Sequence, residues 1–267
     1  MFNISKREFG NVLDGHGGPQ CGNFVKINIL NIFCKFFKIE IQQNPKSLSN
    51  KEQFNETIFQ IMVKTFYQVD IDFYNAFQKE AVLSGATGNV VIIFKKRLYS
   101  FYIGDCKSFI CQKKQITILN QNHIPTRPDE LKRLQNAGGD IKNGRLNGKV
   151  VISRCFGQFE FKKQEDYLQI QQEDFSKQPK LSLISVFPEC VIYDINQDQD
   201  DFLFLSTDGI YEQIKEIEIS NLITQYLQNQ EGSNDLGQVL QNLIDLAYKK
   251  SQKIDNLAII LVLLQRP

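Results

Sequence analysis

The sequence predicts an α+β fold in which two stacked, mainly antiparallel sheets are covered by helices. Three observations carry this reading. Apolar runs of strand length are joined by short basic turns at Lys95-Lys96-Arg97 and Lys113-Lys114, and tight turns between consecutive strands make antiparallel pairs. Other runs, above all residues 202–205 and 257–264, are continuously apolar, so both faces of those strands need cover. Long stretches near the start and before the last strand carry apolar residues at helical spacing, which supplies the covering layers. The 267 residues can bury a large core and contain no linker long enough to separate two units. The expectation is a single domain over residues 1–267.

Taken in order, residues 9–13 form a short strand that leads to Asp14. Between Cys21 and Lys38 the residues Val25, Ile29, Phe33, Phe36 and Phe37 recur at helical spacing. Asn44-Pro45 breaks this helix, and a second begins near Lys51 with Phe54, Ile58, Ile61 and Thr65 on one face. Residues 70–83 fit either a continuation after a bend or an irregular segment. Ser84-Gly85-Ala86-Thr87-Gly88 reads as a turn. Strands follow at 90–94, 98–103, 108–112 and 115–119. Pro128 opens a helix through Leu131, Leu134 and Ala137 that Gly138-Gly139 stops. Residues 159–181 are polar, Gln-rich and charged. Strands return at 191–195 and 202–205. Two helices come next, one with Ile214, Ile217 and Ile223, the other with Leu236, Val239, Leu240, Leu243 and Ala247, capped by Ser233-Asn234-Asp235. The last strand is 257–264.

Net charge is +1, which argues against a nucleic-acid or membrane-surface partner. The six cysteines show no metal-binding spacing and read as free thiols of an intracellular, cytoplasmic protein. The first residues carry no signal-peptide pattern, and the longest C-terminal apolar run is far short of a membrane span.

Chemistry concentrates at Val12-Leu13-Asp14-Gly15-His16-Gly17-Gly18. A carboxylate at the end of a strand suits a hard divalent ion such as Mg²⁺ or Mn²⁺. The glycines let a main-chain carbonyl turn toward the same ion, and His16 can carry a proton near neutral pH. Alone, the stretch reads equally well as a glycine turn leaving a strand. Two distant stretches repeat its signature: Asp208-Gly209 closes the run that starts at Phe202, and Asp255-Asn256 precedes the last strand. Three aspartates at strand ends are what a carboxylate metal site on a sheet scaffold requires.

With these residues in place, the chain resembles the protein phosphatase 2C family, the metal-dependent PPM-type serine/threonine phosphatases. The resemblance runs over nearly the whole chain in the family's order. It includes Asp14-Gly15-His16-Gly17-Gly18, Ser84-Gly85-Ala86-Thr87-Gly88, Gly104-Asp105, Ser153-Arg154-Cys155-Phe156-Gly157, Thr207-Asp208-Gly209 and Asp255-Asn256. It implies a four-layer α-β-β-α sandwich, with residues 159–181 as its variable flap. It also implies hydrolysis of phosphoserine and phosphothreonine in phosphoproteins by a metal-bound water. By motif position Asp14 would bridge two Mg²⁺ or Mn²⁺ ions, Gly15 would offer its carbonyl, and Asp208 and Asp255 would complete the first ion. His16 would protonate the leaving oxygen.

The chain departs from the family's pattern in a consistent direction. The family places a phosphate-binding arginine and a metal-binding glutamate in an upstream segment; here thirteen residues precede Asp14 and Glu8 is the sole carboxylate among them. Six residues of strand span roughly 20 Å, so Glu8, like Lys6 and Arg7, lies too far along the strand unless the chain folds back. Family acidic positions are Gln158 and Asn122 here, and Glu212 stands at another often filled by aspartate. The expectation is one firm ion site, a second weakly filled, and no assignable phosphate-binding residue. The alternative function is a catalytically weak or inactive phosphatase-like adaptor or structural subunit of a larger assembly. Gly104-Asp105 reads as a turn former, Arg154 as a loop anchor, His123 as an ordinary loop residue, and Cys106 and Cys111 as packing residues.

Overall fold

The computed structural model describes residues 9–45, 50–163, 165–166, 182–229, 235–251 and 255–264. Lys6, Arg7, Glu8 and most of the expected flap at 159–181 lie outside the described residues. One sheet has the order β1 (Phe9–His16), β2 (Gly85–Phe94), β3 (Arg97–Ile103) and β9 (Glu189–Asp194), with the short β8 (Phe156–Gly157) also paired to β2. The other has the order β11 (Ile259–Leu263), β10 (Asp200–Ser206), β4 (Lys107–Gln112) and β5 (Gln115–Ile118). Every pairing within these two sheets is antiparallel. A small hairpin, β6 (Ile141–Lys142) and β7 (Arg145–Leu146), stands apart.

The continuously apolar strands resolve into two faces because strand side chains alternate. On β10, Phe202 and Phe204 join one core while Leu203 and Leu205 join another. On β2, Val90 and Ile92 face the helices while Val91 faces the opposing sheet. The first sheet is covered by α1 (Gln20–Gln43) and α2 (Lys51–Phe77), through Val25, Ile29, Phe33, Ile58, Met62 and Phe66. The second is covered through Ile210 of α5 (Asp208–Tyr211), Ile219 and Ile223 of α6 (Glu216–Gln228), and Val239, Leu243 and Ala247 of α7 (Leu236–Lys250). The result is the α+β sandwich of two antiparallel sheets between helical layers that the sequence predicts.

Polar groups cross the inter-sheet core. Asn89 Nδ2 on β2 donates to Ser108 Oγ on β4 at 2.7 Å, and Ser100 Oγ on β3 donates to Asn89 Oδ1 at 3.0 Å. All three residues are fully buried, so each bond satisfies a group that would otherwise be stranded.

Four local expectations need correction. Residues 84–88 are not a turn: β2 begins at Gly85 and pairs with β1 all the way to His16. The glycines there serve close approach, since a Cβ at Gly85 would lie 2.4 Å from His16 Nε2 and one at Gly88 2.6 Å from Leu13 Cδ2. For the same reason β1 runs three residues past its expected end. Ile217 is 49% exposed rather than core; it follows Glu216 at the start of α6, while Ile214 is buried in the preceding turn. The last strand is half-buried because β11 ends its sheet in the described order. Residues 70–83 resolve as the end of α2, a bend at Gln78 (φ 41°), and the short α3 (Lys79–Leu83).

Candidate functional site

On β1, Leu13 packs toward the helices and Val12 toward the opposing sheet. Asp14 and His16 follow Val12 at intervals of two, so both point into the mouth of the inter-sheet cleft. Asp208 enters that mouth just past Thr207, which follows β10, and Asp255 on the segment that leads into β11. Thr207 clasps the two connections: its Oγ1 donates to Asn256 O at 2.7 Å and accepts from Ala258 N at 3.1 Å. One carboxylate oxygen from each of Asp14, Asp208 and Asp255 lies within 4.8 Å of the others. The sequence-predicted ligands and His16 thus share one cavity of about 350 Å³.

The cavity wall also contains Thr87, Asp105, Lys149, Gln158 and Asn256. Burial raises the Asp14 carboxyl to about 8, with the neighbouring Asp208 carboxylate acting in the same direction. Asp105 rises to about 6 through burial and the charge on Asp208. Asp208 Oδ1 is buried without a hydrogen-bond partner. Among the described residues no ion pair is made by Asp14, Asp208 or Asp255, and crowded carboxylates with an orphaned oxygen form a site that a cation would relieve. Oxygen ligands stand a little over 2 Å from Mg²⁺ or Mn²⁺, so the observed oxygen separations suit such an ion. Asn256 Nδ2 donates to Asp14 Oδ1 at 3.3 Å and to the Gly15 carbonyl at 3.1 Å. The carbonyl the sequence nominates as a ligand is therefore aimed at the cluster but held by an amide.

His16 is pushed below the ordinary histidine range, first by burial and further by the Lys162 ammonium. Its Nε2 lies 3.1 Å from Gln158 Oε1.

The sequence reads Asp105 only as a turn former; the structure places it in the cavity lining, within reach of the Asp208 charge. The signal that could have found it is the one that found the others, an aspartate just beyond the end of a strand, here β3. Lys149 follows the β6–β7 hairpin and carries no motif. His123 is also more than an ordinary loop residue, being fully buried. Its Nδ1 accepts from Gly104 N at 3.1 Å, its ring lies against Tyr102, and burial lowers it to about 4. A neutral imidazole thus holds the turn that presents Asp105. Arg154 anchors its loop as expected, donating to Glu130, to Phe187 O and to Glu189. Burial alone would raise Glu130, but Arg154 and Arg133 hold it well below the usual carboxylate range.

The protein phosphatase 2C family model matches residues 3–256. A protein named Probable protein phosphatase 2C 2, from Paramecium tetraurelia, is 28% identical over 263 residues, covering 96% of this chain and 82% of its own length. Protein phosphatase 1A of Homo sapiens is 26% identical over 255 residues, covering 94% of this chain and 61% of that protein. The crystal structure of serine-threonine phosphatase 2C from Toxoplasma gondii matches with a TM-score of 0.74 at 17% identity, over 96% of this chain and 84% of that one. Among the described residues no helix is long and apolar enough to cross a membrane.

Proposed function

The chain belongs to the protein phosphatase 2C family, and from that premise we propose that it is a metal-dependent serine/threonine phosphatase acting on phosphoproteins. The observation that carries this reading is the convergence of Asp14, Asp208 and Asp255 on a cavity that also holds His16. Those three carboxylates would hold Mg²⁺ or Mn²⁺, and the orphaned Asp208 Oδ1 and their spacing fit such an ion. When bound, a divalent ion lowers the pKa of a ligated water and neutralises charge on phosphoryl oxygens. His16 supplies the proton for the leaving serine or threonine oxygen. Lys149, the basic side chain in the described cavity wall, offers a point charge to a phosphoryl oxygen. The reading places one ion firmly and a second weakly, in a single-domain intracellular protein whose six cysteines are unpaired.

One observation favours a second reading, a weak or non-catalytic phosphatase-like subunit of an assembly. Asn256 engages both Asp14 Oδ1 and the Gly15 carbonyl, the atoms that would face a second ion, and the described ligand cluster holds three carboxylates. Phosphopeptide turnover with added Mn²⁺, beside calorimetric Mn²⁺ titration, separates the two. The enzyme reading expects turnover that needs millimolar-range metal and is lost in Asp208→Asn and Asp14→Ala. Metal binding without turnover establishes the subunit reading.

A further inference from the structure

His16 has two ring nitrogens, and only one can serve a substrate if the other is committed to the protein. The surroundings of Nε2 are built in detail. Gln158 is 7% exposed and adopts a left-handed backbone conformation (φ 55°, ψ 48°), uncommon for a residue with a side chain. Backbone of this kind persists only where surrounding structure fixes it, and here it does. Gln158 N donates to Ser84 O at 2.8 Å. The preceding Gly157 N donates to Asp70 Oδ1 of α2 at 2.6 Å. Lys162 Nζ donates to Asp70 Oδ2 at 2.6 Å and to Cys155 O at 2.9 Å, and both charged side chains of this pair are buried. The loop is thus fastened to α2 on one side and to β2 on the other, with the Gln158 amide aimed at His16.

The orientation of that amide follows from its neighbours. Cys155 Sγ, a donor, lies 3.5 Å from the same Oε1 that faces His16 Nε2. With the amide oxygen on this side, which only accepts, Nε2 carries the hydrogen; the reverse amide orientation would make Nε2 the acceptor, and the tautomer measured below distinguishes the two. Gly85 supports the ring position, because any Cβ there would collide with Nε2. Among the described residues Nδ1 makes no hydrogen bond.

We infer that Gln158 is a positioning residue that locks His16 in the Nε2–H tautomer and leaves Nδ1 as the nitrogen that exchanges the proton with substrate. The inference deepens the phosphatase reading and rests on it for the catalytic role of His16, but the tautomer stands on geometry alone. Gln158 works through His16 and need not touch the phosphoryl group.

The test is nitrogen-15 NMR of the full chain labelled at histidine, which contains only His16 and His123. Near pH 8, His16 is expected as the Nε2–H tautomer in the wild type, as a mixture in Gln158→Leu, and as Nε2–H again in Gln158→Glu, which restores an acceptor oxygen. Phosphopeptide turnover is expected to lose roughly 10- to 100-fold in kcat in Gln158→Leu with little change in KM, part of what a positioned acid contributes, and to recover in Gln158→Glu. An Nδ1–H tautomer in the wild type, or a Gln158→Leu protein that keeps both its tautomer and its kcat, overturns the inference. If Gln158→Leu fails to fold, Gln158→Met and Gln158→Glu carry the same comparison. Absent turnover with the expected tautomer pattern would overturn the phosphatase reading and leave the positioning of His16 standing.

Discussion

Asp105 lies beside the ligand cluster, its carboxyl raised by burial and by the Asp208 charge, yet it is not among the three residues whose oxygens converge. It adds negative potential without a ligand bond. Asp105→Asn is therefore expected to weaken Mn²⁺ binding about tenfold, in line with a partly screened charge a few ångströms away, while leaving the metal-free melting temperature unchanged or higher. Calorimetric titration beside a thermal melt checks this, and wild-type affinity in the variant would remove Asp105 from the site's electrostatics. Lys149 calls for the opposite experiment. Lys149→Ala should weaken inhibition by inorganic phosphate several-fold at low ionic strength, with the difference shrinking as salt rises, because an exposed charge is screened. An equal loss at all salt concentrations would mean that the substitution disturbed the hairpin instead. These two residues mark how far single positions could be read from the sequence. Asp105 carries the same strand-end signature as Asp14 and Asp208 and was legible in principle. Lys149 was not, because its place depends on how a two-strand hairpin far from the other ligands folds over the cleft.

At the scale of elements, what could be read was what local chemistry decides. Helical spacing placed α1 and α2, Pro128 opened α4 (Pro128–Asn136), and Asp235 caps α7 by accepting from Gly237 N. The paired lysines at 113 and 114 adopt positive φ, the conformation of a tight hairpin turn. The start of β2 escaped because glycine in sequence looks the same whether it bends the chain or admits a neighbour; only the packing of His16 and Leu13 against Gly85 and Gly88 tells them apart. The inter-sheet polar bonds escaped too, since Asn89, Ser100 and Ser108 find each other only when two sheets stack. They make a direct prediction. Ser108→Val removes the acceptor of the buried Asn89 amide and should cost about 1–3 kcal/mol, the usual penalty for a stranded buried donor. Urea unfolding measures it. A loss under about 0.5 kcal/mol would mean the amide finds another partner and that the bridge adds little to sheet stacking.

Across the whole molecule, the layer order was readable because each apolar strand sorts its residues by alternation into two cores. Which strands end the sheets was not, since that depends on pairings between segments far apart in sequence. The same long-range assembly sets the pH response of the folded chain. Asp14 binds its proton with a value raised to about 8, and Asp105 with one raised to about 6. A group raised in the folded state gives stability that is complete below its unfolded value and is lost as pH rises through the folded value. The metal-free protein should therefore lose stability as pH climbs from about 4 to about 8, with both carboxyls contributing up to about pH 6 and Asp14 alone above it. Above pH 6 the slope stays below the roughly 1.4 kcal/mol per pH unit of one fully linked proton, because Asp14 is partly exposed to screening solvent. His123 works in the other direction. It is lowered to about 4, so the unfolded chain takes up its proton first and its own contribution falls as pH drops from about 6.5 toward 4, offsetting part of the gain from the two carboxyls. Glu130, held below the usual range by Arg154 and Arg133 despite burial, and Glu189, held there by His123 and then by Arg127 and Arg154, make stability fall as pH drops below about 4.5. Because the two raised carboxyls outweigh the single His123 proton, the optimum of the metal-free chain should lie near about pH 4 to 5. A divalent ion replaces the proton on Asp14, so with saturating Mn²⁺ the decline toward pH 8.5 should flatten, and the stabilisation by metal should be larger at pH 8 than at pH 6. Urea midpoints measured from pH 5 to 8.5, in chelator and in excess Mn²⁺, read this directly. Asp14→Asn should show the flat profile without any metal. Parallel profiles with and without Mn²⁺ would mean that the ion does not displace this proton, and the assignment of Asp14 as its ligand would fall.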